Sequence, residues 1–452
     1  MKKGLLVLMM LLLTVPAFAV QLTVAEGEAT SGVKLDLGGD IRFRGYDFNN
    51  FWNFADSGVD PVTGKSYDGD DYETYRLRSR IFAKVGVAEN VSGYIRFANQ
   101  TYGENVGTGV NTDENVFADN AYIDLTNLFG APLDLRMGRQ DLFYGTGFVV
   151  ADGESDAAST AFYFDGIKAT LRMSKTAKID AFYLKDEENN RAEISGGDDV
   201  NLMGAYLTGE CPVMGGKQEV YALNRTDDGI DKDIWMGGFR LSRTFDSGLN
   251  YSAEAAYQWG DAYRDAATDD VLDQQALGYK LELGYAVPVD SVKLRPFVGY
   301  TSMSGDQDAG DDDFEGWDAF YGGWPQFGDL LSWVFINGPA QFSTGYPQST
   351  SVAGEVNYSN LNLASVGTDV TIGKVKTTLS YTKLIIDDIS TTSANFEHDN
   401  DYGDYYQAIV TFPYNKYLSF AIDASMIDPG DAFPDTNDDM AHEVFVETNL
   451  KF

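Results

Sequence analysis

The chain has 452 residues, of which 44% are hydrophobic and 13% aromatic, with a single cysteine and a formal charge of −36. So acidic an exterior repels nucleic acid and anionic lipid rather than binding them. Cys211 has no partner for an internal disulfide, so the fold closes without covalent staples.

Residues 1–19, MKKGLLVLMMLLLTVPAFA, place Lys2 and Lys3 before an apolar run from Gly4 to Val15 and close on Ala17-Phe18-Ala19. This pattern predicts a secretory signal peptide cleaved after Ala19. Without Lys2 and Lys3, 31 basic residues face 69 acidic ones, a formal charge of −38. No later stretch reaches the roughly 20 apolar residues of a spanning helix, which leaves an exported soluble protein or a β-barrel. Residues 20–32 read as a flexible periplasmic lead, and 33–452 as one barrel domain.

Alternation with period two predicts strands near 33–51, 72–87, 91–103, 115–126, 133–145, 162–173, 177–187, 200–210, 217–227, 234–245, 249–262, 274–288, 292–306, 360–373, 374–387, 402–415, 418–430 and 440–452. In 274–288, Leu277, Tyr279, Leu281, Leu283, Tyr285 and Val287 oppose Gly278, Lys280, Glu282 and Gly284. Short links such as Ala88-Glu89-Asn90, Ser174-Lys175-Thr176, Asp246-Ser247-Gly248 and Gly373-Lys374 fall at every second junction, and long acidic segments fall between them. A soluble sandwich has no reason to keep that asymmetry in phase, whereas outer-membrane barrels join short periplasmic turns to long extracellular loops. The expected fold is therefore all-β, a transmembrane antiparallel β-barrel of about eighteen strands with periplasmic N- and C-termini. The mean hydropathy of −0.25 agrees with this, because only alternate strand residues face lipid.

The last strand alternates Val444, Val446, Thr448, Leu450 and Phe452 with Glu443, Phe445, Glu447, Asn449 and Lys451. Its terminal aromatic resembles the signal by which such barrels are handed to the barrel-assembly machinery, so lipid and that machinery are expected partners.

Parity also assigns an inner face. Arg42, Arg44, Arg76, Arg78, Arg80 and Lys84 point inward from the first two strands, joined by Arg96, Arg136, Lys168, Arg172, Arg240, Lys280, Arg295 and Lys376. Asp40, Asp124, Asp134, Asp180, Glu254, Glu282, Asp369, Asp423, Glu443 and Glu447 share that face. Two roles fit: a ladder of guanidinium groups that guides an anion by bidentate contacts, or cross-lumen ion pairs that stiffen the wall.

The stretch LRMGRQDLFYGTG, Leu135 to Gly147, followed by AFYFDGIKATL, Ala161 to Leu171, resembles the alginate export family of outer-membrane porins. The resemblance implies an outer-membrane channel for an anionic polysaccharide, and it implies that Arg139 faces the lumen. Strict parity with Leu135 and Met137 instead points Arg139 outward unless a bulge intervenes near Gly138.

The long segment 306–359, expected to be extracellular, carries Trp317, Tyr321, Trp324 and Trp333, rings able to cover the mouth or enter it and stack on sugars. Asp306, Asp308 and Asp311 form a weak calcium candidate without EF-hand spacing, and no other metal or cofactor is expected. Neither histidine, His398 or His442, has Cys or His neighbours at zinc spacing and no catalytic motif appears; His442, near Asp438 and Asp439, is the one place where a catalytic role would be sought. The expected function is passive passage of an anionic polysaccharide or oligosaccharide, with a general or small-anion porin as the alternative.

Overall fold

Inside a bilayer each strand N–H and C=O needs a neighbouring strand, so a membrane sheet must close on itself. The computed structural model does so. It describes residues 33–51, 54, 57–59, 66–68, 72–103, 116–151, 163–187, 199–210, 215–264, 270–289, 291–308, 310–322, 327–337, 358–389, 399–435 and 437–452. The expected signal peptide and lead, Cys211, Trp324 and His398 lie outside the described residues.

Eighteen strands form the wall: β1 (Lys34–Asn49), β2 (Tyr72–Ala88), β3 (Val91–Tyr102), β4 (Phe117–Leu125), β5 (Leu133–Gln140), β6 (Phe164–Arg172), β7 (Lys178–Glu187), β8 (Val200–Glu210), β9 (Lys217–Asp227), β10 (Lys232–Thr244), β11 (Leu249–Arg264), β12 (Val271–Tyr285), β13 (Val292–Met303), β14 (Leu361–Ile372), β15 (Val375–Ile386), β16 (Asp401–Pro413), β17 (Leu418–Pro429) and β18 (Ala441–Lys451). Each pairs antiparallel with its sequence neighbours. Closure comes from β1 against β18, where Asp40 faces Lys451 and Asn49 faces His442. A short continuation of β12, Val287–Val289, extends its pairing with β13.

The period-two pattern determines which surface meets lipid. Ile81, Ile123, Ile167, Val220, Leu281, Val366 and Ile422 are exposed on the outer face, together with Tyr183, Trp235, Tyr257, Trp259 and Tyr406. A belt of apolar and aromatic side chains exposed all round a barrel is intelligible only if lipid covers it. The long connections gather at one rim and the short turns at the other, and β1 begins and β18 ends at the short-turn rim.

Two segments leave the wall and fill the long-loop half of the lumen. The fifth strand was expected to run over 133–145 but ends at Gln140, and the chain that follows turns inward through Gly145 (φ 61°) and Gly147 (φ 81°), left-handed conformations that favour glycine. Leu142, Phe148, Val149 and Val150 are buried as a result. The second segment, after β13, crosses the lumen against them: Ala151 N–H donates to the Tyr321 carbonyl (2.9 Å), and Tyr321 N–H to that of Val149 (3.3 Å). It then forms α1 (Asp329–Asn337), whose Leu330 and Leu331 are buried and whose Trp333 meets Phe48 of β1 edge-on at 5.9 Å.

Candidate functional site

The plug is held at defined points on the wall. Asp318 is fully buried and accepts from Lys232 Nζ of β10 at 2.7 Å and from Arg225 Nη1 of β9 at 3.4 Å. Its N–H donates to Gln258 Oε1 of β11 (2.9 Å), while Gln258 Nε2 donates back to the Asp318 carbonyl (2.5 Å). Trp317 stacks on Phe148 at 5.5 Å and lies over Gly278 of β12, where a Cβ would come within 2.8 Å of the indole. On the opposite side Asp329 of α1 reaches Arg44 (3.9 Å), and Trp333 lies 5.4 Å from the Arg76 guanidinium.

Where β1, β2 and β18 meet, five of the expected arginines form one patch. Arg44 Nε donates to Glu447 (2.6 Å), and Arg42 lies 3.8 Å from the same carboxylate. Asp40 accepts from Arg78 (3.0 Å) and Arg80 (2.7 Å), and Arg76 donates to the Tyr46 hydroxyl (3.1 Å). Further round the wall, Arg96 pairs with Asp119 and Asp141, Arg136 with Asp124, Arg172 with Asp134, Arg240 with Glu219, and Arg295 with Asp369 and Glu282. Apart from Arg139, the basic residues expected on the inner face do lie there, and carboxylates engage most of them. Lys84 and Lys168 also occupy inward positions, with no hydrogen bond or ion pair.

Arg139 is a correction. The β5–β6 register runs without a shift through Gly138, so Arg139 shares the outer face of Met137 and Ile167. It donates to Asp165 at 2.8 and 2.9 Å and covers the Tyr163 ring at 3.9 Å, on the outside of the barrel. Gly138 does adopt positive φ (124°), but its neighbours keep alternating: Gln140 and Phe164 are buried inside, and Asp165 points out.

The aromatic candidates Trp317, Tyr321 and Trp333 enter the barrel and are buried in the plug, their faces or edges covered by Phe148, Phe164 and Phe48. The calcium candidate does not assemble. Asp308 and Asp311 accept from the N–H groups of Gly310 and Asp313 two residues on, and no three metal-ligating side chains converge among the described residues. His442 sits on the outer face beside Met426 and makes no hydrogen bond or ion pair with Asp438 or Asp439.

Burial and the neighbouring Glu315 push the Asp306 carboxyl up to about 7 from its ordinary 3.8. With the folded value above the unfolded one, the folded loop binds the extra proton between those two pH values. Its stabilisation is complete below 3.8 and declines as pH rises through about 7. Protease protection of this loop should therefore fall between about pH 5 and about pH 8, and Asp306→Asn should flatten that profile.

Sequence reasoning missed the anchor Asp318, its partners Arg225 and Lys232, and Asp329 of α1. The available signals were faint: inward parity for Arg225, and an inward Gly278 in an otherwise bulky strand.

An outer apolar belt, a closed eighteen-strand wall and a charged interior define an outer-membrane β-barrel channel. The family of alginate export proteins matches residues 65–447, and the chain belongs to that family in the bacterial outer membrane. A comparison with curated proteins finds no match. Among solved structures the chain is similar to outer membrane protein OpdK of Pseudomonas aeruginosa, with a TM-score of 0.53 at 10% identity, covering 92% of this chain and 98% of that one. It is likewise similar to OprD of the same organism (0.52, 12%, 92% and 94%) and to OccAB1 of Acinetobacter baumannii (0.53, 13%, 92% and 96%).

Proposed function

We propose that this channel passes an anionic polysaccharide or oligosaccharide, without catalysis, along its basic inner wall. The observation that carries the reading is the arginine patch of β1 and β2, placed inward by strand parity inside a member of the alginate export family. Fixed guanidinium groups recognise carboxylates by paired hydrogen bonds, and in a hydrated pore each such contact is weak enough to permit release. The short-turn rim, where β1 begins and β18 ends, is assigned to the periplasm and the long loops to the exterior. The strand ending at Phe452, which exchanges backbone hydrogen bonds with Gly39 at 2.8 and 2.9 Å, is assigned to recognition by the assembly machinery.

A second reading, a small-anion porin, is favoured by the plug, which narrows the path. OpdK, one of the similar barrels, has been crystallised with vanillate. Planar-bilayer recordings separate the readings. Anion preference with block by oligouronates stronger than by monomeric glucuronate supports the polymer, equal or stronger block by the monomer supports the small-anion porin, and cation preference defeats both.

A further inference from the structure

If the lumen carries anions, counting arginines does not identify the group that seizes the solute, because a cation already bonded to a carboxylate offers less field and fewer donors to a newcomer. Arg78 and Arg80 share Asp40, Arg44 donates to Glu447, and Arg136 donates to both oxygens of Asp124. Lys168 differs. It lies at the middle of β6 on the inner face, in register with Arg136 of β5 and Phe182 of β7, half-buried and with no ion pair.

The carboxylates around it are engaged elsewhere. Asp124 accepts from Arg136, and Asp180 accepts from Thr170 Oγ1, Tyr144 Oη and Lys178 Nζ (2.5, 3.2 and 2.9 Å). On one side the Arg136 guanidinium is stacked on Tyr122 at 3.8 Å, which holds it flat against the wall. On the other, Phe182 stacks with Tyr144 of the inward segment at 5.8 Å. Lys168 is thus half-buried between β5 and β7, where reduced solvation strengthens the attraction of an ammonium for an anion.

We propose that Lys168 is the strongest carboxylate-binding residue of the lumen and sets its charge selectivity, the paired arginines adding a weaker field along the wall. This rests on the anion-channel reading above. A lysine suits the role, since its flexible stem lets a point charge follow a moving carboxylate.

The test records single channels of the full-length wild type, Lys168→Gln and Lys168→Arg, with oligouronates, glucuronate and a neutral oligosaccharide of matched length as probes. Lys168→Gln should weaken oligouronate block about tenfold and move the reversal potential toward zero. Block by the neutral probe and the heat-modifiable gel mobility should not change, and Lys168→Arg should restore anion block. Undiminished oligouronate block in Lys168→Gln overturns the assignment while leaving the anion channel intact. Equal loss for charged and neutral probes also overturns it, by showing a structural role. A wild-type channel with no anion preference overturns the channel reading together with this one.

Discussion

Asp318→Asn is expected to open the channel. The substitution keeps the shape of the side chain but removes the negative charge that two buried cations share, Lys232 at 2.7 Å and Arg225 at 3.4 Å. Breaking a buried ion pair from one side costs about 3–5 kcal/mol, far more than an exposed pair. The wall can bear this loss, because its closure rests on backbone pairing of all eighteen strands. Among the described residues the plug meets the wall and itself through only scattered backbone bonds, so the penalty falls on its attachment. Single-channel conductance should rise severalfold, and protease should cut the segment between β13 and β14 faster, while the barrel keeps its heat-modifiable mobility. Unchanged conductance and unchanged protection would show that Asp318 is not the anchor.

The second large effect is expected at the indole on the wall. Trp317→Ala removes a fully buried ring that stacks on Phe148, a loss of about 3–5 kcal/mol for a large aromatic side chain. Gly278→Leu attacks the same contact from the other side, because even its Cβ would come within 2.8 Å of the ring. Each single variant should raise conductance. The double variant should lie closer to wild type than either, since leucine then occupies space the indole has left; residues in contact couple in this way. Simple additivity of the two increases would argue that the ring and the glycine act independently.

The wall was legible because its code is local. A strand that separates lipid from lumen must alternate, and Val444, Glu443, Val446 and Glu447 announce the outer and inner faces without reference to anything distant. Loop length supplied the parity of the rims. Arg139 shows where a family resemblance and local alternation disagreed, and the unbroken register through Gly138 settled that side chain on the outside.

The plug was not legible, because its contacts join residues that alternation treats as unrelated. Asp318 finds Arg225 and Lys232 some ninety positions earlier, Trp317 finds Gly278, and Asp329 finds Arg44 across more than half of the chain. Sequence alone thus determined that this protein is a barrel, how many strands it has and which charges face inward, since each follows from a repeat of two residues against two solvents. Only the tertiary structure decided which of those charges are already paired and that aromatic loop residues lie inside the barrel. Both depend on which distant groups the closed wall brings within a few ångströms of one another.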